Sequence, residues 1–194
     1  MVLKIVQVGD PVLRAAAREV TAEEIRSSRI QALIEWMRET MYDAPGVGLA
    51  CPQVGISLQI AVIEDKAELL KSMPAAYLEE RRRRPVPFQV LINPRIQTGG
   101  ETVEFYEGCL SFEGYGALVP RALEVQVDCL NHRGKEVSFQ AEGWHARIVQ
   151  HEVDHLNGGV YVDRMLTRSL STNAHLNRHW GDLPIAEVKK RLAL

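Results

Sequence analysis

The residues best placed to do chemistry lie in the run His151-Glu152-Val153-Asp154-His155. Two histidines four positions apart project from one face of a helix, close enough for both imidazoles to reach a single metal ion. Glu152, beside them, is placed to take a proton from metal-bound water. Trp144 and Ile148 extend the same face toward the helix start, so that face points inward. Asp154 lies off it and is expected to orient a ligand histidine from behind rather than to touch the ion. Two imidazoles leave a metal under-coordinated, and the residues able to complete it are Cys51, Cys109, Cys129, His132, His145, His175 and His179. Cys109 stands in Tyr106-Glu107-Gly108-Cys109-Leu110-Ser111, after a predicted strand and beside a glycine that lets backbone approach closely. Cys129, near the end of an alternating strand, reads as packing. His132 falls in a turn, and His175 and His179 fall in a polar tail, where solvated histidines are the default.

A second stretch, Gly46-Val47-Gly48-Leu49-Ala50-Cys51-Pro52-Gln53, is rich in glycine but carries no phosphate-loop chemistry, because no Lys-Ser/Thr follows it. It is not a dinucleotide fingerprint either, since no strand precedes it and the third glycine is missing. By spacing alone it is a tight turn after a helix.

The elements that must position these residues belong to one domain. The chain has 194 residues, 46% hydrophobic and 25% charged, enough for one core and too few for two. A net charge of −2 argues against a protein that coats nucleic acid, and no apolar run is long enough to span a bilayer. Residues 1–13 do not resemble a signal peptide, and three cysteines do not make a disulfide framework. Apolar residues near a 3.6 spacing predict a helix over 22–42, opened by a Thr21–Glu24 capping box and stopped at Ala44-Pro45-Gly46. Residues 58–64 and Val90-Leu91-Ile92 before Asn93-Pro94 read as strands. Between them 65–87 is polar and helix-prone, and its Arg81-Arg82-Arg83-Arg84 run reads as a solvated helix end, with an RNA-facing patch as the alternative. Residues 123–130 alternate, Asn131-His132-Arg133-Gly134 turns, and 136–141 returns as a hairpin partner. A second helix covers 143–157, and 182–194 is expected to be a short C-terminal helix or tail. The order predicts an α+β fold: mixed or antiparallel β-sheets packed around a central metal-binding helix, with an N-terminal helix.

Taken together, the three stretches resemble the peptide deformylase family, which is marked by G-φ-G-φ-A-x-P-Q, E-G-C-φ-S and H-E-x-x-H in this order. Here they are 46–53, 107–111 and 151–155, within a likeness running from Gly9-Asp10-Pro11-Val12-Leu13 to Tyr161-Val162-Asp163. The insertion at 66–87 and Gly143-Trp144…Arg147-Ile148 are similar to the branch found in mitochondria and plastids, which bacteria also carry. The resemblance implies a single catalytic domain over 1–194 that removes the formyl group from N-formyl-methionine on new polypeptides, releasing formate. It assigns one divalent ion to Cys109, His151 and His155, with Fe²⁺ expected and Zn²⁺, Ni²⁺ or Co²⁺ able to substitute. Glu152 is then the base, and the Gln53 amide and Leu110 N–H are the donors to the developing oxyanion. The peptide is expected to lie extended against Val47, Gly48 and Gly108. Trp144 and Ile148 are expected to wall the methionine pocket.

The implied partners are formyl-methionyl nascent chains, with no membrane and no nucleic-acid substrate; the basic tail at 187–192 reads as a solvated helix end, with docking on the ribosome near its exit tunnel as the alternative. The implied compartment is a bacterial cytoplasm, or a mitochondrion or plastid after removal of a presequence. One departure is Cys51, where the family usually has alanine. It reads as a small packed hydrophobe, and the sharper alternative is a disulfide with Cys109 on oxidation. A metallopeptidase of another kind would take its third ligand downstream of the helix. A catalytically silent relative would need neither Glu152 nor Gln53.

Overall fold

The computed structural model describes residues 1–181 and 183–194. Its centre is an antiparallel sheet in the order β1-β2-β3-β4-β5, built from Gly48–Ala50, Ile60–Asp65, Val86–Cys109, Phe112–Leu130 and Glu136–Glu142, with β6 (Ser171–Thr172) added to β4. The named strands pair antiparallel throughout, which settles the expected mixed or antiparallel sheet in favour of the latter.

Two helices cover opposite faces of this sheet. On one side α2 (Ser28–Asp43) buries Ile30, Leu33, Ile34, Met37 and Met41 with Ile60 and Val62 of β2. On the other α5 (Gly143–Leu156) buries Ala146, Ile148, Val149, Val153 and Leu156 with Ala61 and Ile63 of the same strand. Alternate β2 side chains thus enter two different cores, and this is why the strand reads as an unbroken apolar run rather than an alternation.

Four readings of the sequence need correction. The helix expected over 22–42 is two, α1 (Ala22–Ile25) and α2, because Ser27 recaps the chain: its Oγ donates to the Glu24 carbonyl and accepts from the Ile30 N–H. The Thr21–Glu24 capping box forms as predicted, but it caps only the short first helix. Asn93-Pro94 does not end a strand. Asn93 takes φ +50° at a register shift between Ile92 and Arg95, and its side-chain amide satisfies Val20 from both sides, so β3 bends and continues.

The glycine-rich stretch is more than a turn, since Gly48–Ala50 pairs with β2 as an edge strand. Within the insertion, α3 (Ala67–Leu70) and α4 (Ala75–Glu80) are helical as expected, but Arg81 and Arg83 are buried rather than solvated. Arg81 lies over the Tyr77 and Phe105 rings, and Arg83 forms a two-point pair with Asp65. The short helix α6 (Asn173–His179) follows β6. The tail forms α7 (Ile185–Leu192), which buries Ile185 and Val188 against Phe105 and Leu118 and pairs Lys189 with Glu104.

Candidate metal centre

Sheet and helix meet at a cavity of about 810 Å³ lined by Val47, Gly48, Gln53, Glu107, Gly108, Cys109, Leu110, Trp144, Ile148, His151 and Glu152, among others. Helix α5 brings His151 and His155 to one face as their spacing predicts, with ring centroids 5.0 Å apart. Cys109 ends β3 and comes to the same point, with its Sγ 3.2 Å from His155 Nε2. One ligand atom from each of Cys109, His151 and His155 lies within 4.8 Å of the others, and among the described residues no other such cluster of three occurs. A thiolate and two imidazoles are the donor set of a borderline divalent transition ion, and three protein ligands leave a position open. These residues fit such an ion.

Glu107, not Asp154, stands behind His151. Its Oε2 accepts from His151 Nδ1 at 3.0 Å, Arg121 grips both carboxylate oxygens at 3.0 Å each, and Arg147 Nη1 adds a bond of 2.7 Å to Oε1. Burial alone would raise the Glu107 pKa. The His151 hydrogen bond and the Arg121 charge overcome it and hold the carboxyl well below the usual range. A fixed carboxylate behind Nδ1 orients the ring and leaves Nε2 free for a metal. Asp154 instead pairs with Arg121 and Arg164, because its place off the ligand face turns it toward those guanidinium groups. Among the described residues His155 Nδ1 has no hydrogen-bond partner of ordinary geometry, and burial lowers this ring's proton affinity.

Glu152 is enclosed next to the ligand pair. Burial pushes its carboxyl up to about 7, the positive charges of His151 and Arg121 opposing the shift, and Oε2 has no hydrogen-bond partner. Its packing requires Gly48, where a Cβ would sit 2.3 Å from Glu152 Oε1. Gln53 is oriented by backbone: its Oε1 accepts from the Ala50 N–H at 2.8 Å, which turns Nε2 toward Cys109 Sγ at 3.6 Å. The Ser111 N–H also faces that sulfur, at 3.4 Å. Leu110 follows Cys109 in the β3–β4 turn, its carbonyl held by Gln7 Nε2.

Of the seven residues able to supply a third ligand, Cys109 alone reaches the pair. Cys51 packs its sulfur 3.3 Å from Met37 Sδ in the α2 core, where burial pushes the thiol up to about 12, so the packing reading describes it. Cys129 is buried in the α5 core. His145 stacks on Phe139 and meets Gln89, and His132, His175 and His179 are exposed. Glu107 sat inside a motif without a role in the sequence reading, and Arg121 and Arg147 were missed. Apolar neighbours on both sides of each arginine were the available signal of burial.

A model of the polypeptide deformylase family matches residues 2–170. The chain is 47% identical over 183 residues to a tomato (Solanum lycopersicum) protein named Peptide deformylase 1A, chloroplastic, an alignment spanning 94% of this chain and 64% of that protein. It is 45% identical over 180 residues to Peptide deformylase 3 of Streptomyces avermitilis, covering 92% of this chain and 78% of that one. In structure it is similar to a Met-Ala-Ser-bound class I type b peptide deformylase from Acinetobacter baumannii, with a TM-score of 0.76 and 34% identity over 85% of this chain and 99% of that one. Its motifs converge on one cavity and the family model spans most of its length, so the chain belongs to the peptide deformylase family.

Proposed function

We propose that residues 1–194 act as one catalytic domain that hydrolyses the formamide of N-formyl-methionyl peptides to formate and a free amino terminus. The observation that carries this reading is the meeting of Cys109, His151 and His155 beside the enclosed carboxyl of Glu152, whose Oε2 has no hydrogen-bond partner among the described residues. Cys109, His151 and His155 would hold the ion, and Fe²⁺ is the metal we expect. When bound, a divalent ion supplies Lewis-acid polarisation and makes water acidic near neutral pH.

The chain's own residues do the rest. Glu152 takes a proton from the attacking water and returns it to the leaving amine, a role suited to a carboxyl with raised proton affinity. Gln53 Nε2 and the Leu110 N–H donate to the oxygen on which charge develops, and Gln53 is fixed for this by Ala50. The peptide lies extended between the β1 edge at Val47 and Gly48 and the end of β3 at Gly108. It adds backbone hydrogen bonds that read no side chains. Trp144 and Ile148 wall the pocket for the methionine side chain.

The test is formate release from formyl-Met-Ala-Ser by protein prepared anaerobically and loaded separately with Fe²⁺, Ni²⁺ and Zn²⁺. Glu152→Gln is expected to lose about 10²–10⁴-fold in turnover while keeping one metal per chain. If no loading gives turnover in the wild type, the reading fails. The expected setting is the bacterial cytoplasm, with the enzyme meeting nascent chains near the ribosomal exit tunnel. The exposed Lys190 and Arg191 of α7 are the contact we assign to the ribosome. Reversing those two charges should abolish salt-dependent co-sedimentation with ribosomes, and undiminished co-sedimentation would count against that contact.

A further inference from the structure

Arg83 belongs to the insertion, carries none of the chemistry, and yet lines the active-site cavity. The chain goes out of its way to put it there. Helix α4 ends at Glu80, Arg82 takes φ +45°, and the Arg83 N–H returns to the Leu78 carbonyl at 2.8 Å, which turns the Arg83 side chain inward. The same loop lies against the first residue of α5. Gly143 has φ +58°, and a Cβ there would sit 2.7 Å from the Arg82 carbonyl oxygen. Insertion and metal-binding helix are therefore in backbone contact.

Inside, Arg83 grips Asp65 at two points, Nε to Oδ2 at 2.7 Å and Nη2 to Oδ1 at 3.0 Å, with Asp65 fully buried. The planar fork cannot swing without breaking both bonds. Its Cζ lies 5.1 Å from the centre of the Trp144 ring, with Arg147 at 5.9 Å and Phe105 at 6.4 Å also against that indole. Two apolar side chains of similar volume would stabilise this wall as well as a desolvated ion pair does. The pair does something such a replacement would not: it sets a planar guanidinium, fixed by two hydrogen bonds, against the indole.

We propose that the Asp65–Arg83 pair is a positioning device for specificity. By fixing Trp144 it sets the depth of the side-chain pocket, so that the insertion decides which first residue is accepted. The inference rests on the deformylase reading above.

The experiment compares formyl-Met-Ala-Ser with formyl-Phe-Ala-Ser in the wild type, in Asp65→Leu/Arg83→Met and in Trp144→Phe, each metal-loaded. In the double variant, which leaves no buried charge unpaired, KM for the methionyl substrate is expected to rise about tenfold while kcat changes less than about threefold. The methionyl-to-phenylalanyl ratio of kcat/KM should fall about tenfold, and Trp144→Phe should move it in the same direction. An unchanged ratio in a double variant that keeps its metal and its circular dichroism overturns the proposal. If that variant does not fold, Arg83→Lys keeps the charge but loses the fork, and an unchanged ratio there overturns it equally. If the wild type shows no turnover, the deformylase reading has failed. Calorimetric binding of Met-Ala-Ser against Phe-Ala-Ser then reads the pocket directly, with an unshifted preference in the variants counting against the pair.

Discussion

Two helices of this protein carry histidines four residues apart, and in each pair the two rings face each other at short range. His151 and His155 on α5 have ring centroids 5.0 Å apart, and His175 and His179 on α6 have theirs 5.6 Å apart. Helical geometry makes both pairs. What separates them lies outside their helices. The α5 pair has Cys109 from β3 as a third donor, the Glu107 carboxylate behind one ring, and the wall of a cavity around it. The α6 pair is exposed and, among the described residues, belongs to no cluster of three metal-ligating side chains. Spacing supplies two ligands, and tertiary structure makes a site.

The sharpest way to break the contrast is to reduce the α5 pair to two imidazoles. Cys109→Ala should lose both bound metal and turnover, to below about one part in a thousand of wild-type activity, as metal analysis and formate release would show. Retention of a full metal equivalent would mean that the thiol is not a ligand. Next in size is Gly48→Ala, where the new methyl would strike Glu152 and displace the carboxylate while leaving the ligands alone. Turnover should drop about a hundredfold at unchanged metal content, since small misplacements of a base cost about that much.

Glu107→Gln keeps the shape behind His151 but removes the charge that Arg121 and Arg147 surround. Metal affinity measured by competition with a chelator should fall about 10–100-fold. The smallest effect is expected at the other pair. His175→Ala with His179→Ala should leave metal stoichiometry at one per chain and kcat/KM within about twofold of wild type. A lost equivalent there would mean that two exposed imidazoles on α6 suffice, and would erase the distinction.

What the sequence determined by itself was what local geometry and pattern can carry. Helical periodicity places His151, Glu152 and His155, the capping box opens α1 at Thr21, and the alternation over 123–130 becomes part of β4. The three motifs, read in order, also announced the family and the cavity residues from Val47 to Ile148 that the fold brings together. The tertiary structure alone decided which charges are buried and whom they meet. Glu107 finds Arg121 and Arg147, Asp154 finds Arg121 and Arg164 rather than a histidine, and Arg83 finds Asp65, each partner 10–40 residues away in the chain. A run of four arginines is solvated by default because burying one costs several kcal/mol unless a carboxylate and aromatic faces offset it. Asp65, Phe105 and Trp144 come from other elements, so nothing within the run itself could announce them.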